Sequence, residues 1–377
     1  MFVSVKPTYL YFFFICLFFS CDKDTVPTNT PNPTIPEFQD LSTISYNPIP
    51  VELVIPDPLP QIDIPADNPL TEDGIALGRF LFFDPILSGT GTMACADCHL
   101  PKGGFTDNLA FSVGTEGITG LRSSMSLINA GYFTRGLFWD GRSQTLEEQA
   151  LLPVEDVTEL HNEWENVVAD LRVHADYPTR FRKAFGINTT EGITKELAAK
   201  AIAQFERSLI SADSKFDRVV RGEAFFDDDE LTGFELFFDE PNGLPDAECG
   251  HCHNAPLFTV NQYFNNGIDS VGSLEEFKDK GLGAITNNLF DNGKFRAPSL
   301  RNIALTAPYM HDGRFETLEE VIDHYNEEAH FADNIDPLIR TRGLGLTEEH
   351  KQALVAFLHA LTDTSFVNNP AYQNPFE

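Results

Sequence analysis

From Glu196 to Leu209 apolar residues recur four apart, at Leu197, Ala201, Phe205 and Leu209. That spacing places all four on one face of a helix. Glu348 to Leu361 shows the same pattern through Leu354, Phe357, Leu358 and Leu361. Two further helical stretches run from Leu70 to Phe82-Phe83-Asp84 and from Leu231 to Phe237-Phe238-Asp239. Thr145 and Thr317 each precede an acidic first turn, so both are expected helix N-caps. The pattern predicts a mainly α fold whose first regular element begins near Thr71.

The helical stretches belong to an internal repeat. Cys95 follows Asp84 by eleven residues, and Cys249 follows Asp239 by ten. Trp139-Asp140-Gly141-Arg142 with Thr145-Leu146-Glu147-Glu148 matches His311-Asp312-Gly313-Arg314 with Thr317-Leu318-Glu319-Glu320. Ser126-Leu127-x-Asn129 echoes Ser299-Leu300-x-Asn302. Two duplicated domains are expected, over 65–221 and 222–377, with the boundary near Gly222.

The 377 residues are enough for two domains, and a 42% hydrophobic content supports real cores. Phe is in excess, with 33 against 2 Trp and 9 Tyr. Core filling explains most of it, and the remainder suits apolar walls around a large flat cofactor. The net charge of −31 argues against a nucleic-acid partner, whose phosphates need a basic surface. It suits a basic protein partner steered by opposite fields, or solubility alone.

Lys6, the apolar stretch Tyr9 to Phe19 and Ser20-Cys21 read as an export signal over 1–20. It resembles a lipoprotein signal with Cys21 as the lipidated first residue. Residues 21–64, rich in Pro, Thr and Asn, are expected to form an extended tether. No later stretch has 18 consecutive apolar residues, so a lipid anchor is the expected membrane contact.

Cys95-Ala96-Asp97-Cys98-His99 and Cys249-Gly250-His251-Cys252-His253 each match the attachment motif of a c-type haem. The two thiols add across the haem vinyl groups, and the adjacent His lies under the iron. Zinc would need four ligands at matching spacing, and a redox dithiol needs no following His. His251 reads as a solvent-side spacer. Cys16 lies in the export signal and Cys21 takes the lipid, so no cysteine remains for a disulfide. Two covalent haems c are therefore expected, ligated by His99 and His253.

The repeat also predicts an asymmetry. Gln149 and Pro153 stand where the second half has Val321 and Tyr325. If the halves superpose, these side chains face the far side of each haem. One half then lacks a strong iron ligand there, and the other offers a phenol. That suggests one open haem for chemistry and one closed haem for electron storage.

At these residues the sequence resembles the bacterial di-haem cytochrome c peroxidase family, including MauG-type enzymes. The resemblance covers about residues 65–365. It rests on both haem motifs, Phe138-Trp139-Asp140-Gly141-Arg142, Gln149 with Glu159, Arg296-Ala-Pro-Ser-Leu-Arg-Asn302 and Pro308-Tyr-Met-His-Asp-Gly313. It implies two cytochrome c-like domains. It also implies reduction of hydrogen peroxide to water, with electrons from a small c-type cytochrome or cupredoxin. By this resemblance His99 marks the peroxidatic site and His253 the electron-transfer site. Glu159 moves a proton between the peroxide oxygens, Gln149 orients peroxide or water, and Trp139 relays electrons. Calcium between the domains is implied at Thr306 and Pro308, although Ser123 replaces the family's Asn. Two departures favour the MauG type. Thr115 falls where activation-dependent peroxidases carry a distal His, and Tyr325 falls where they carry a Met ligand. Met310 is an alternative ligand. A peroxidase is the leading expectation, ahead of a MauG-like oxidase of a protein or small molecule and a non-enzymatic electron carrier. A periplasmic or cell-envelope location is expected, and a homodimer stays open.

Overall fold

The computed structural model describes residues 38–239, 243–339 and 343–377. The export signal, Cys16, Cys21 and the first part of the tether lie outside the described residues. The described chain is mainly α, as its periodicity predicts. In chain order come α1 (Glu72–Phe83), α2 (Cys95–Cys98), α3 (Leu146–Glu155), α4 (Trp164–Val173), α5 (Tyr177–Phe185) and α6 (Lys195–Arg207). They are followed by α7 (Lys215–Val220), α8 (Asp228–Phe237), α9 (Cys249–Cys252), α10 (Leu282–Thr286), α11 (Leu318–Asp323), α12 (Glu348–His359) and α13 (Thr364–Val367). One short antiparallel pair, β1 (Tyr263–Phe264) and β2 (Phe295–Arg296), sets Tyr263 opposite Arg296. Among the described residues no helix is long and apolar enough to cross a membrane.

The expected caps form. Thr145 accepts a hydrogen bond from the Glu148 N–H, and Thr317 accepts one from Glu320. Thr71 caps α1 in the same way, through the Gly74 N–H. Each such cap satisfies a donor that a helix start leaves without an intrahelical partner. Helices α6 and α12 stop at Arg207 and His359, short of Leu209 and Leu361. Both leucines still face the cores just beyond the helix ends.

Two helix crossings organise the molecule: α1 against α6, and α8 against α12. A methyl group on Gly78 would lie 1.9 Å from the Ala201 carbonyl oxygen, and one on Gly233 would lie 2.0 Å from that of Ala353. Four residues on from each glycine, a phenylalanine packs on the partner helix. Phe82 meets Phe205 with ring centroids 5.3 Å apart, and Phe237 meets Phe357 at the same 5.3 Å. Much of the Phe excess is spent in these cores.

One core gathers residues of α1 and of α3 to α6, and the other those of α7, α8, α11 and α12. The repeated asparagines meet between them. Asn129 donates to the Ser211 carbonyl at 3.1 Å, and Asn302 donates to the Ser211 hydroxyl at 2.9 Å. That hydroxyl in turn donates to Asp363 at 3.0 Å. Arg301 closes the junction with a fully buried pair to Asp217, at 2.8 and 2.9 Å.

The structure corrects two boundaries. Residues 38–64 are not a free tether: Leu41 and Leu59 are buried, and the Leu41 and Val51 N–H groups bond to the Asn188 and Leu70 carbonyls. Prolines suit this segment because it runs extended across a surface and pairs with it only at intervals. The C-terminal segment returns to the first half, where Phe366 joins the core of α1 to α6 and Arg79 donates to the Gln373 carbonyl at 2.8 Å.

The crossings generate a prediction. Gly78→Ala should lower unfolding free energy by about 1–3 kcal/mol in urea titration, because overpacking outweighs the gain in helix propensity of about 1 kcal/mol. An alanine variant as stable as the parent would show that the helices can separate without loss.

Candidate functional site

The first motif forms the single turn α2, which brings the Cys95 and Cys98 thiols to one side ahead of His99. Asp97 accepts from the Ala94 N–H at 2.8 Å and holds the turn closed. His99 Nδ1 lies 2.9 Å from the Phe105 carbonyl oxygen. That contact fixes the ring and makes Nε2 its lone-pair nitrogen. Burial keeps the imidazole neutral and pushes the Cys98 thiol up to about 12.

A cavity of about 40 Å³ adjoins this turn, and Gln149, Pro153 and Glu159 border it together with Cys95 and His99. Gln149 and Pro153 come from α3, and Glu159 from the turn that follows. Burial, reinforced by Asp156, raises the Glu159 carboxyl to about 7, while Arg142 opposes the shift. Thr115 is absent from the cavity wall. Its N–H donates to the Glu159 carbonyl at 2.8 Å, which ties the 112–120 loop to the acid's own backbone. Glu116 and His161, 3.1 Å apart, add a second tie.

The second motif repeats the plan. Helix α9 presents Cys249 and Cys252, and His253 Nδ1 lies 3.0 Å from the Pro298 carbonyl and 3.2 Å from that of Phe258. Burial lowers this imidazole to about 4 and raises both thiols to about 12. His251 is exposed, with Nε2 2.7 Å from Glu248. The adjoining cavity is larger, about 230 Å³, and both Tyr325 and Met310 border it. Tyr325 sits in a π-helical turn, His324–Glu328, that continues α11. Asn266 donates to the Tyr325 hydroxyl at 3.2 Å and faces the Met310 sulfur at 3.5 Å. Burial raises the phenol to about 12, against the pull of Asn266.

Trp139 borders the larger cavity, and its indole N–H donates to the Ser123 carbonyl at 2.9 Å. The next residue, Ser124, donates to the Cys98 carbonyl at 2.6 Å. Trp139 is thus linked to the first motif while it faces the second. His311, its partner in the repeat, is buried and stacks on Phe295 at 3.6 Å. Arg122 donates to Asp140 at 2.6 Å and Asp279 at 2.7 Å beside that stack. Thr306 and Pro308 also border the larger cavity, near Ser123, whose hydroxyl donates to the Met310 carbonyl at 3.0 Å.

Paired protonated thiols one turn apart, an imidazole with its outer nitrogen engaged and an adjoining cavity are the donor set a c-type haem takes. Both motifs meet it. Sequence reasoning missed Asn266 and Glu206. Asn266 has no repeat partner among the motifs. Glu206 sits in a helix whose apolar face drew attention to its neighbours Ala201 and Phe205.

Residues 72–225 match the family model described as di-haem cytochrome c peroxidase. The chain is 34% identical over 333 residues to "Cytochrome-c peroxidase IdrP1" of Pseudomonas sp. (strain SCT), covering 81% of this chain and 85% of that protein. It is also 34% identical over 309 residues to "Methylamine utilization protein MauG" of Methylophilus methylotrophus, covering 81% and 86%. A crystal structure described as a MauG-like protein associated with microbial copper homeostasis superposes with a TM-score of 0.79. It is 35% identical and covers 87% of this chain and 100% of its own. The chain therefore belongs to the bacterial di-haem cytochrome c peroxidase family, which includes the MauG-type enzymes, and it is an oxidoreductase of that kind.

Proposed function

We propose that the protein reduces hydrogen peroxide to water at the first motif, with electrons from a small c-type cytochrome or cupredoxin entering at the second. The observation that carries this reading is Glu159, an acid raised to about 7 on the cavity wall beside His99. We assign one haem c to each of two duplicated domains. Cys95, Cys98 and Cys249, Cys252 hold them, and His99 and His253 are the iron ligands. A haem held at the first motif would supply the redox chemistry that peroxide reduction needs.

The protein's own residues manage protons and access. Glu159, when ionised, takes a proton from one peroxide oxygen and returns it to the other, a general acid–base role. Gln149 donates a hydrogen bond that orients the substrate. Pro153 offers no iron ligand from α3. Tyr325 closes the second site, held by Asn266, with Met310 as the alternative ligand. Trp139 carries electrons between the sites. Calcium at Thr306 and Pro308 would be held by backbone carbonyls, as hard cations prefer. Export and lipidation at Cys21 would place the enzyme in the periplasm or cell envelope.

A second reading is favoured by Thr115 and Tyr325 together. In a MauG-like oxidase the same sites would oxidise a protein or small-molecule substrate. Peroxide treatment of the enzyme with co-produced exported proteins, followed by mass spectrometry, would show residues oxidised only in its presence.

Glu159→Gln should lower peroxide turnover by about 10²–10⁴-fold while both haems remain attached. In the parent, kcat/KM should rise as pH increases through about 7, because the ionised carboxyl is the base. The variant should lose that limb, and a variant with parental turnover would remove Glu159 from proton transfer.

Tyr325→Phe should change the absorption spectrum of one haem only, and Met310→Leu should not. The reverse result would make Met310 the ligand.

The fully oxidised enzyme should react with peroxide without prior reduction, because Thr115 offers no ligand to release. A stopped-flow lag abolished by pre-reduction would contradict this.

A further inference from the structure

Glu206 lies on α6 between Phe205, which fills the first core, and Arg207. Its side chain belongs to a residue only 3% exposed, and its Oε2 has no hydrogen-bond partner. It borders the same cavity as Cys95, His99, Gln149 and Glu159. The cation nearest in sequence is not available to it. Arg207 is committed to Glu147 by two hydrogen bonds, at 2.6 and 2.8 Å. A buried carboxyl without a cation of its own keeps its proton, since the charged form loses solvation and gains no partner.

The groups facing Glu206 agree with that state. Helix α2 presents the Cys95 thiol, itself held protonated by burial. Helix α3 presents Gln149 and, to one side, the Glu147 carboxylate. The turn after α3 presents Glu159. Burial raises Glu206 to about 8, with Arg207 pulling it down and Glu147 pushing it up. An apolar residue would suit the same place, since the α6 positions one and two turns earlier on that face are Ala203, Ile202 and Ala199. An unpaired acid there costs stability, which points to a task in the cavity.

We propose that Glu206 is a second proton-supplying residue of the first site, an inner acid that delivers one of the two protons consumed when peroxide becomes two waters. This rests on the peroxidase reading. The balance is one hydrogen peroxide, two electrons from the small redox protein and two protons, giving two waters. Glu159 only moves a proton from one oxygen to the other, so the two consumed protons need a separate source. In the step assigned here the O–H bond of Glu206 breaks and an O–H bond of product water forms. The carboxylate left behind recovers its proton from bulk water.

The test compares the parent holoenzyme with Glu206→Gln, Glu206→Asp and Glu159→Gln. Infrared spectra in light and heavy water at pH 7 read the carboxyl directly. The parent and Glu159→Gln should show a protonated-carboxyl band that Glu206→Gln lacks. With both haems retained, Glu206→Gln should turn over peroxide on the order of 10²-fold more slowly. The Asp variant, which keeps an acid, should recover part of that loss. Parental activity should fall as pH rises through about 8, the acid form being the active one, and the Gln variant should lose this limb. If Glu206→Gln does not fold, Glu159→Gln and the Asp variant decide the matter. A Glu159→Gln enzyme with no protonated-carboxyl band, or an Asp variant with the parental rate and the parental high-pH limb, then overturns the proposal. A folded Gln variant with parental turnover and pH profile also overturns it, while leaving the peroxidase reading intact. A parent that consumes no peroxide sinks that reading, and the proton-supply role with it.

Discussion

The constraint on which the described residues depend is the contact of backbone with backbone at two helix crossings. At Gly78 and at Gly233 a β-carbon would fall about 2 Å from a carbonyl oxygen of the opposite helix, at 1.9 and 2.0 Å. Helices that approach this closely leave no room for adjustment. The phenylalanines one turn further on then have a single place to go, and both pairs reach the same centroid separation of 5.3 Å. The turns α2 and α9 hang from the ends of these crossings. Each Cys-x-x-Cys-His segment thus follows a helix whose seat is fixed by a glycine, and its own hydrogen bonds to Phe105 or to Phe258 and Pro298 complete its placement.

The same frame carries two unlike cavities, and the helices beside them differ at one register position that faces both. At the first site that position is Pro153, which can neither donate a hydrogen bond nor ligate. At the second it is Tyr325, in a widened turn that carries the phenol into the cavity. Polar character follows the same division. The smaller cavity carries Glu159 and Glu206, both acids raised by burial. The larger one carries a phenol held by Asn266. Burial thus sets two carboxyls beside the first motif, while the phenol at the second shares its cavity with charged neighbours, Arg296 and Arg301 among them.

Short-range signals were legible in the sequence. Thr145 and Thr317 cap helices because a hydroxyl three residues ahead of an N–H needs nothing beyond local geometry. The helical faces and the two haem motifs were equally plain. Long-range pairing was not. Residues 38–64 carry enough Pro to suggest a tether, yet Leu41 and Leu59 find buried places on the body. Composition cannot report where an extended segment lies down. Phe366 crosses to the first core for the same reason: a repeat says which segments are alike, not which half a tail rejoins. Asn266 and Glu206 stayed hidden because each is marked by one contact or one buried oxygen, and neither belongs to a spacing pattern.

The 112–120 loop shows how one substitution can alter a site without entering it. Thr115 has no place on the cavity wall. Its N–H instead grips the Glu159 carbonyl at 2.8 Å, and Glu116 faces His161 at 3.1 Å. Gly114 packs against the same stretch, so closely that a β-carbon there would meet the Thr158 carbonyl oxygen at 2.4 Å. A loop whose side chain had to reach the cavity would have to leave these contacts, and the backbone that carries Glu159 would lose its support. With a threonine the loop has no such alternative. It stays against the acid, and the acid stays on the cavity wall. The tie is made by the backbone N–H of Thr115, so the stretch that carries Glu159 is held by the loop's main chain and by the Glu116–His161 contact rather than by a side chain in the cavity.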